Sequence, residues 1–545
     1  MKVLLINPIC AESIDVFLKQ AETSRVNADE PLGIAYISSW IKKKLPELEI
    51  KIFDHHILSL KLLADIKNKN DIWRELESFL LDYLPDVVGI SGLYHMNSRI
   101  FHQTAQVIKN ISPQTVIVAG GIYPTTSANE VLTDMNIDYI IPGEGEIAFE
   151  EFLEFRQGRL DLEDLKSIAY RVGEKIVFKK SAPIIMNLDD LGYPDRTDLP
   201  IGEYSIYGRN VSERFYKKNI RVASLQPTRG CPFLCTYCSG HAITSRKHRK
   251  RTIQSVIDEI KYLKQEFNVE VVSFNDENAS ANPKWWILLY EEMIRQKLDI
   301  RWVHSGGFYV DLMNEELITK AIDSGILMFN LAIESGSKRI LNRVKKTEKI
   351  IERAPKIVDI IRKHDSNIYI MGFFLFGYPF EDFDDIQKTI DFARKLDCDW
   401  SFLNIFQPFP GCELFDYCKE NGHISNESGQ LDNSKLTHYL ISQLTNTIVP
   451  VEYLNETVYK ANLELNFFNP RRLRIGDYKQ VIRDMEHVVN IAPDHILAHI
   501  NLEKALRAEG KNEDADIETE KLDQIKISNE LQQKYLKYYI HYKTT

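Results

Sequence analysis

The chain has 545 residues, 44% hydrophobic and 27% charged, with 78 acidic against 68 basic residues and a formal charge of −10. That length exceeds one ordinary domain, the composition suits a folded protein with a large core, and the acid excess argues against a nucleic-acid-coating protein. No apolar run approaches a membrane span, Asn7 and Pro8 break MKVLLINPIC short of a signal peptide, and seven cysteines, three of them clustered, make no disulfide framework, so a reducing cytoplasm is expected.

Residues 1–150 alternate short β-rich runs with helical stretches. KVLLIN, EIKIFD, DVVGISGL, TVIVAGG and DYIIPGEGE each precede a helix-like segment, and LLADIKNKNDIWRELESFLLDYL after the second reads as one long helical stretch. Continuous apolar strands with intervening helices predict a doubly wound (Rossmann-like) α/β domain, with ligands at the carboxyl ends of its strands. Residues 151–215 change character: SIAYRVGEKIVFKK reads as a hairpin turning at Gly173, and LGYPDRTDLPIGEY as an irregular linker.

Residues 216–425 hold a second βα series. Six strand candidates, VASLQPT, EVVSFND, IRWVHSG, LMFNLAIES, IYIMGFFLFG and WSFLNIFQPF, predict a partial (β/α)6 barrel of the TIM type, with its active site where the strands end. Trp285, Trp286, Trp302 and Tyr309 are read as core. Residues 426–545 show no strand signal and read as a helical C-terminal domain packed on the barrel. Within it YKQVIRDMEHVVNIAPDHILAHINLEKALRAEGK looks like a single tetratricopeptide-like unit, two helices broken at Pro493.

The loop RGCPFLCTYCSGH, residues 229–241, follows the first barrel strand and carries Cys231, Cys235 and Cys238 in a C-x3-C-x2-C spacing. Three uses compete for it. A structural zinc needs a fourth ligand, which His241 would supply. An iron–sulfur cluster on four protein thiolates needs another cysteine, and the remaining four are far off in sequence. A four-iron cluster on three thiolates leaves one iron open to a small molecule. The basic run SRKHRKRT, residues 245–252, reads mostly as a solvated face, with Arg251 the candidate for an anionic ligand.

This loop resembles the radical S-adenosylmethionine (SAM) superfamily, whose signature is C-x3-C-x-aromatic-C, with Tyr237 in the aromatic place. The resemblance spans roughly residues 216–425. It implies that Cys231, Cys235 and Cys238 hold a 4Fe-4S cluster whose open iron takes the amino and carboxylate groups of S-adenosylmethionine. An electron from the cluster, supplied by a donor such as flavodoxin or ferredoxin, then cleaves the sulfonium to a 5′-deoxyadenosyl radical. Tyr237, the strand ends FNDENAS (Asp276, Glu277) and AIESGS (Glu334, Ser335) are implied around the nucleotide. FLFGYPFED (Gly377, Pro379, Glu381) and QPFPGCELF, with Cys412 in place of Thr, resemble the fifth- and sixth-strand turns of the family.

The first 150 residues resemble the cobalamin-binding domain joined to many such enzymes. The likeness rests on Ser91, Gly92 and Leu93 in SGL, Gly120 and Gly121 in AGG, and Gly143 and Glu144 in PGEGE. A small hydroxyl and glycines at adjacent strand ends let a large flat ligand's tail slide between strands. DHHILS (Asp54, His56, Ser59) looks like the D-x-H-x-x-G motif of His-on cobalamin domains, yet it follows the second strand. The counterpart region ADEPLG, ending at Gly33, has no histidine, so none from this motif is expected on cobalt. His95 reads as a satisfied polar histidine rather than a lower-face ligand.

Together the two resemblances imply radical methylation of a small-molecule substrate. One S-adenosylmethionine methylates cobalamin, and a second yields the radical that activates an unactivated carbon or a phosphinate. Ring closure or rearrangement without net methylation is the first alternative; a non-catalytic scaffold with a zinc Cys3His loop is the second. Methylthiotransferases are disfavoured because residues 1–150 hold only Cys10, and relatives with auxiliary clusters because residues 419–545 hold no cysteine.

Overall fold

A computed structural model of the chain describes residues 1–22, 26, 28–66, 68–207, 212–217, 219–424, 442–528 and 530–544. Five apolar strands pair in parallel: β1 (Lys2–Asn7), β2 (Glu49–Asp54), β3 (Val87–Ser91), β4 (Val116–Gly120) and β5 (Tyr139–Ile141), in the order β2-β1-β3-β4-β5. Helices cover both faces, so Val3 and Leu5 of β1 enter one core while Leu4 and Ile6 enter another. The order reverses between β1 and β3, which opens a crevice at their carboxyl ends. The long helix expected after β2 is instead two, His55–Lys61 and Arg74–Tyr83. Between them Asn68 and Asp71 side chains accept from backbone amides, competing with the helical bonds.

The hairpin β6 (Ser167–Val172) and β7 (Lys175–Lys180) turns at Gly173, where φ is +60°, and adds antiparallel to β5. It is therefore the edge of the front sheet, not a separate segment. The linker behind it is pinned. Buried Arg196 lies 2.9 Å from Glu30 and 3.0 Å from Glu259 and donates to the Ser224 carbonyl, joining front sheet, linker and barrel. Breaking such a buried pair costs ~3–5 kcal/mol.

From residue 222 the chain builds β8 (Val222–Leu225), then a two-residue antiparallel pair, β9 (Thr228–Arg229) and β10 (Arg249–Lys250). Five parallel strands follow: β11 (Val271–Phe274), β12 (Arg301–His304), β13 (Met328–Glu334), β14 (Tyr369–Phe376) and β15 (Trp400–Ile405). They run β8-β11-β12 and β13-β14-β15, and the two halves are joined by the single bridges Trp302↔Ile326 and Phe308↔Leu331. Alternation sorts the faces. Leu331, Phe374, Phe376 and Ile405 are sealed under helices such as Ile350–His364 and Phe383–Leu396, which leaves Ala332, Phe373, Leu375 and Asn404 facing the lumen.

The C-terminal helices have their own core of Phe467, Val481, Met485 and Leu502. The two helices expected about Pro493 are Tyr478–Ile491 and Ile496–Ala508, and Asn512–Ser528 and Glu530–Thr544 stack behind them. This unit docks on β15. Asn466 exchanges two 2.9 Å bonds with the Ser401 backbone, and buried Arg472 reaches Asp399 at 2.7 Å. The boundary expected at residue 425 falls among residues 425–441, outside the described ones. No described helix is long and apolar enough to cross a membrane.

Candidate active site

The excursion between β9 and β10 is anchored before its thiols are placed. Thr228 donates from both its amide and its hydroxyl to Asp276 Oδ1 at 2.6 Å, and the Gly230 amide donates to Glu277 Oε2 at 3.1 Å. Gly230 has φ +86°, and a Cβ there would lie 2.4 Å from the Lys247 carbonyl, so the turn takes only glycine. Mid-loop, the Thr236 amide donates to the Val344 carbonyl and its carbonyl accepts from Leu414. The loop is thus clamped by chain leaving both β13 and β15.

Cys231 and Cys235 are half-buried and Cys238 is exposed, with the Gly240 amide aimed at Cys238 Sγ from 3.4 Å. Burial, with the neighbouring thiols Cys238 and Cys235 adding to it, pushes Cys231 up to about 11, and burial also raises Cys235. Thiols that resist ionising beside one another are relieved by a cation held among them. Among the described residues no three His, Cys, Asp or Glu side chains converge on one metal-ion position, and the His241 ring meets the Cys238 backbone carbonyl. The His241 ring is thus engaged with the loop backbone, where a Cys3His zinc site would need it as a ligand. Three soft donors spread along a clamped loop fit a four-iron cluster with one iron free of protein. A fourth thiol does come near: Cys412, remote in sequence, lies within electrostatic reach of Cys238, but it is 1% exposed in an apolar cluster with Tyr378 and Phe406.

Beside Cys235 stands a polar group that the sequence names only in part. Glu334 ends β13 with φ +68°, at a shift in its register with β14, an uncommon conformation for a residue with a side chain. Its carboxylate accepts from Lys346 Nζ at 2.9 Å and from the Tyr237 hydroxyl. Burial opposes the Lys346 charge, but Glu334 and then Cys235 outweigh it, so its pKa is raised. The ammonium lies 5.0 Å from the Tyr309 ring, which stacks on Phe233 of the cysteine loop at 4.1 Å and 7°. Lys346, Phe233 and Tyr309 were not expected here. Tyr309 read as core, and Lys346 sits in the charged run NRVKKTEK, where nothing marks it out.

Three residues expected around the nucleotide serve elsewhere. Asp276, 4% exposed, is committed to Thr228, with His304 Nε2 3.3 Å away. Glu277 holds Gly230. Ser335 is fully buried and shares a 2.9 Å bond with Thr389 on the helix Phe383–Leu396. The basic run also departs from a solvated face: Arg249 and Arg251 are buried on Glu144 and Glu259 respectively, because a guanidinium enters a core only with a carboxylate.

At the carboxyl edge of the front sheet, Leu93 is 53% exposed next to exposed Tyr94, and Ser91 is partly open. A Cβ on Gly120 would meet nothing nearer than the Ile141 carbonyl at 3.9 Å, and one on Gly33 nothing within 4 Å. Ser91, Leu93 and Gly120 therefore border room that suits a flat ligand. Gly121, with φ +100°, serves the turn instead, since a Cβ there would strike the Gly92 carbonyl at 2.6 Å. Gly143, at φ +84°, donates its amide to Thr125 Oγ1 at 3.1 Å.

Glu144 was expected at that ligand, but its side chain is spoken for. Arg249 takes both its oxygens, Arg229 stands 3.7 Å away, and the next acid, Glu146, pairs with Arg229 at 2.8 Å. Lys180 adds a bond to the Ala242 carbonyl. PGEGE thus grips the residues that flank the cysteine loop, and the carboxyl edges of the two sheets abut. His95 shares a 2.8 Å bond with Thr126 Oγ1, and burial lowers it to about 4; His56 Nδ1 accepts the Cys10 amide at 3.1 Å.

Two family models match the chain, the B12 binding domain over residues 30–153 and the radical SAM superfamily over residues 225–393. The chain is 27% identical, over 72% of its length and 79% of the other's, to an uncharacterized methyltransferase of Pyrococcus horikoshii. It is 24% identical, over 78% and 83%, to cytidylyl-2-hydroxyethylphosphonate methyltransferase of Streptomyces wedmorensis. Its fold is similar to that of OxsB, a cobalamin-dependent S-adenosylmethionine radical enzyme solved with aqua-cobalamin and S-adenosylmethionine bound. The TM-score is 0.66 at 14% identity, over 98% of this chain and 80% of that one.

Proposed function

Because the chain is a cobalamin-dependent radical SAM enzyme, with a 4Fe-4S cluster, S-adenosylmethionine and cobalamin as its cofactors, we propose that it methylates an unactivated carbon or a phosphinate centre of a small molecule. The observation that carries this reading is the abutment of the two strand edges through Glu146–Arg229 at 2.8 Å and Glu144–Arg249. It turns the open edge at Ser91, Leu93 and Gly120 toward the loop of Cys231, Cys235 and Cys238, as groups that exchange a methyl require. The relatives named as methyltransferases support the same reading.

When bound, the cluster supplies the electron that breaks the sulfonium, and cobalamin supplies a carrier for the methyl group. In our reading Cys231, Cys235 and Cys238 hold the cluster, and Ser91, Leu93, Gly120 and Gly143 border cobalamin. Glu334, held in place by Tyr237 and Lys346, takes the polar groups of the nucleotide. The Phe233–Tyr309 stack and the clamped Thr236 fix the loop so that its thiols need no reorganisation. We assign the enzyme to the cytoplasm, with flavodoxin or ferredoxin as electron donor. We keep the limits 1–150, 151–215, 216–425 and 426–545, with the hairpin strands Ser167–Val172 and Lys175–Lys180 extending the sheet of the first.

The test is anaerobic incubation of the reconstituted, reduced protein with methyl-labelled S-adenosylmethionine and a metabolite extract. Label in a small molecule alongside 5′-deoxyadenosine is expected. 5′-Deoxyadenosine without any labelled product would replace methylation with ring closure or rearrangement.

A further inference from the structure

The lumen of the barrel carries a chemistry that the cofactor residues leave unused. Phe373 and Phe402 are register partners on β14 and β15, and their rings stack with centroids 5.0 Å apart and planes at 13°. The strand neighbours of this pair are sealed under helices, yet both rings stay partly exposed on the inward face. Beneath them lies an apolar floor of Val303, Met328 and Met371, closed by Tyr369 on Phe215. From the first half of the barrel come small polar groups: Ser273 donates to Asn275 at 3.1 Å, and Ser305 is exposed at the end of β12. Two rings stacked on each other above an apolar floor leave only their edges and an outer face open on the inward side, and folding gains when a ligand covers such apolar surface.

Charge narrows the ligand. Along the inward faces of the six strands, two described residues carry a charge. Arg301 is exposed at the amino end of β12, 5.9 Å from the Tyr216 ring and away from the strand ends. Glu334 is neutralised by Lys346. A phosphate or phosphonate needs guanidinium, ammonium or a helix N-terminus to hold it, and these inward strand residues offer no free cation.

We infer that the substrate presents to the lumen an uncharged, flat, unsaturated ring that packs against the stacked pair Phe373 and Phe402, with its polar edge toward Asn275 and Ser305. Any phosphonate it carries lies outside the lumen. The inference deepens the methyl-transfer reading by naming the substrate class. Binding of a ring needs no transfer, so a failed probe leaves that reading intact, and failed labelling leaves the probe result standing.

The experiment is a titration of the full chain, loaded with cluster, S-adenosylmethionine and cobalamin, with indole as the ring probe and 2-hydroxyethylphosphonate as the anionic probe, read by saturation-transfer NMR. Indole should bind and should not be displaced by the phosphonate. Phe402→Leu, which keeps the apolar bulk and removes the ring, should weaken indole about tenfold, and Phe402→Tyr should restore it. Phe373→Leu should repeat the loss, with melting temperature and cluster absorption unchanged in all three variants. No indole binding to the parent chain, unchanged binding in both leucine variants, or displacement of indole by the phosphonate would each overturn the inference.

Discussion

At the residue scale, Glu381 shows how a strand-end turn is held. One carboxylate oxygen accepts the Gly377 amide, the other meets no partner, and burial pushes the group up to about 8. Its folded pKa lies above the unfolded value near 4.5, so the native state holds the proton more tightly. That stabilisation is complete below about 4.5 and is lost as pH rises through about 8. Glu381→Gln keeps an acceptor for Gly377 and cannot titrate. Its melting temperature should fall less than the parent's between pH 6 and 9, and parallel curves would contradict the burial argument. Lys346→Met is the second test at this scale. It leaves Glu334 without its cation, and S-adenosylmethionine binding should weaken about tenfold or more while iron content stays at the parent's level. Unchanged affinity would remove Lys346 from the nucleotide site. The contrast between these residues and the cysteines marks what sequence can show. A three-cysteine spacing is local and legible; the left-handed turn at Glu334 and the arrival of Lys346 beneath it depend on how β13 ends.

At the scale of elements, the cysteine loop is an excursion held by carboxylates from two other places. Asp276 and Glu277 brace its entry from β11, and Glu144 and Glu146 grip its flanking arginines from the front sheet. Asp276, Glu277 and Glu144 stood out in the sequence, yet their task did not. Thr228 is 48 residues from Asp276 and Arg249 is 105 from Glu144, and only the fold brings such partners together. Glu146→Gln should speed amide hydrogen exchange across residues 229–251 while exchange in β3 and β4 stays at parental rates. Arg249→Met, which strands a buried carboxylate, should cost ~3–5 kcal/mol and exceed the effect of Glu146→Gln. If exchange across the loop does not change in either variant, the ion pairs do not set its position.

At the scale of the whole molecule, three bodies share their contacts through buried charge. Arg196 binds Glu30 and Glu259, Arg229 binds Glu146, and Arg472 binds Asp399, each across a junction between sheet, barrel and helical unit. The architecture was legible because strand runs and helical runs segregate along the chain. The placement of the hairpin on the front sheet and the clamp of the helical unit on β15 were not, since each rests on a pairing between remote segments. Arg472→Met should lower unfolding stability by ~3–5 kcal/mol, and because Asp399 is the shared partner, Asp399→Asn combined with it should add less than the sum of the two. Full additivity would mean that the pair does not join the helical unit to the barrel. In the proposed reading the three thiols of the 231–238 loop hold a four-iron cluster with one iron left for the nucleotide. Metal and sulfide analysis of anaerobically reconstituted protein, followed by reduction with S-adenosylmethionine present, tests it most directly. Iron and sulfide should appear in equal amounts, about four of each per chain, and 5′-deoxyadenosine should form and be lost in Cys235→Ala; zinc at the loop, or an intact nucleotide after reduction, would contradict the cluster assignment.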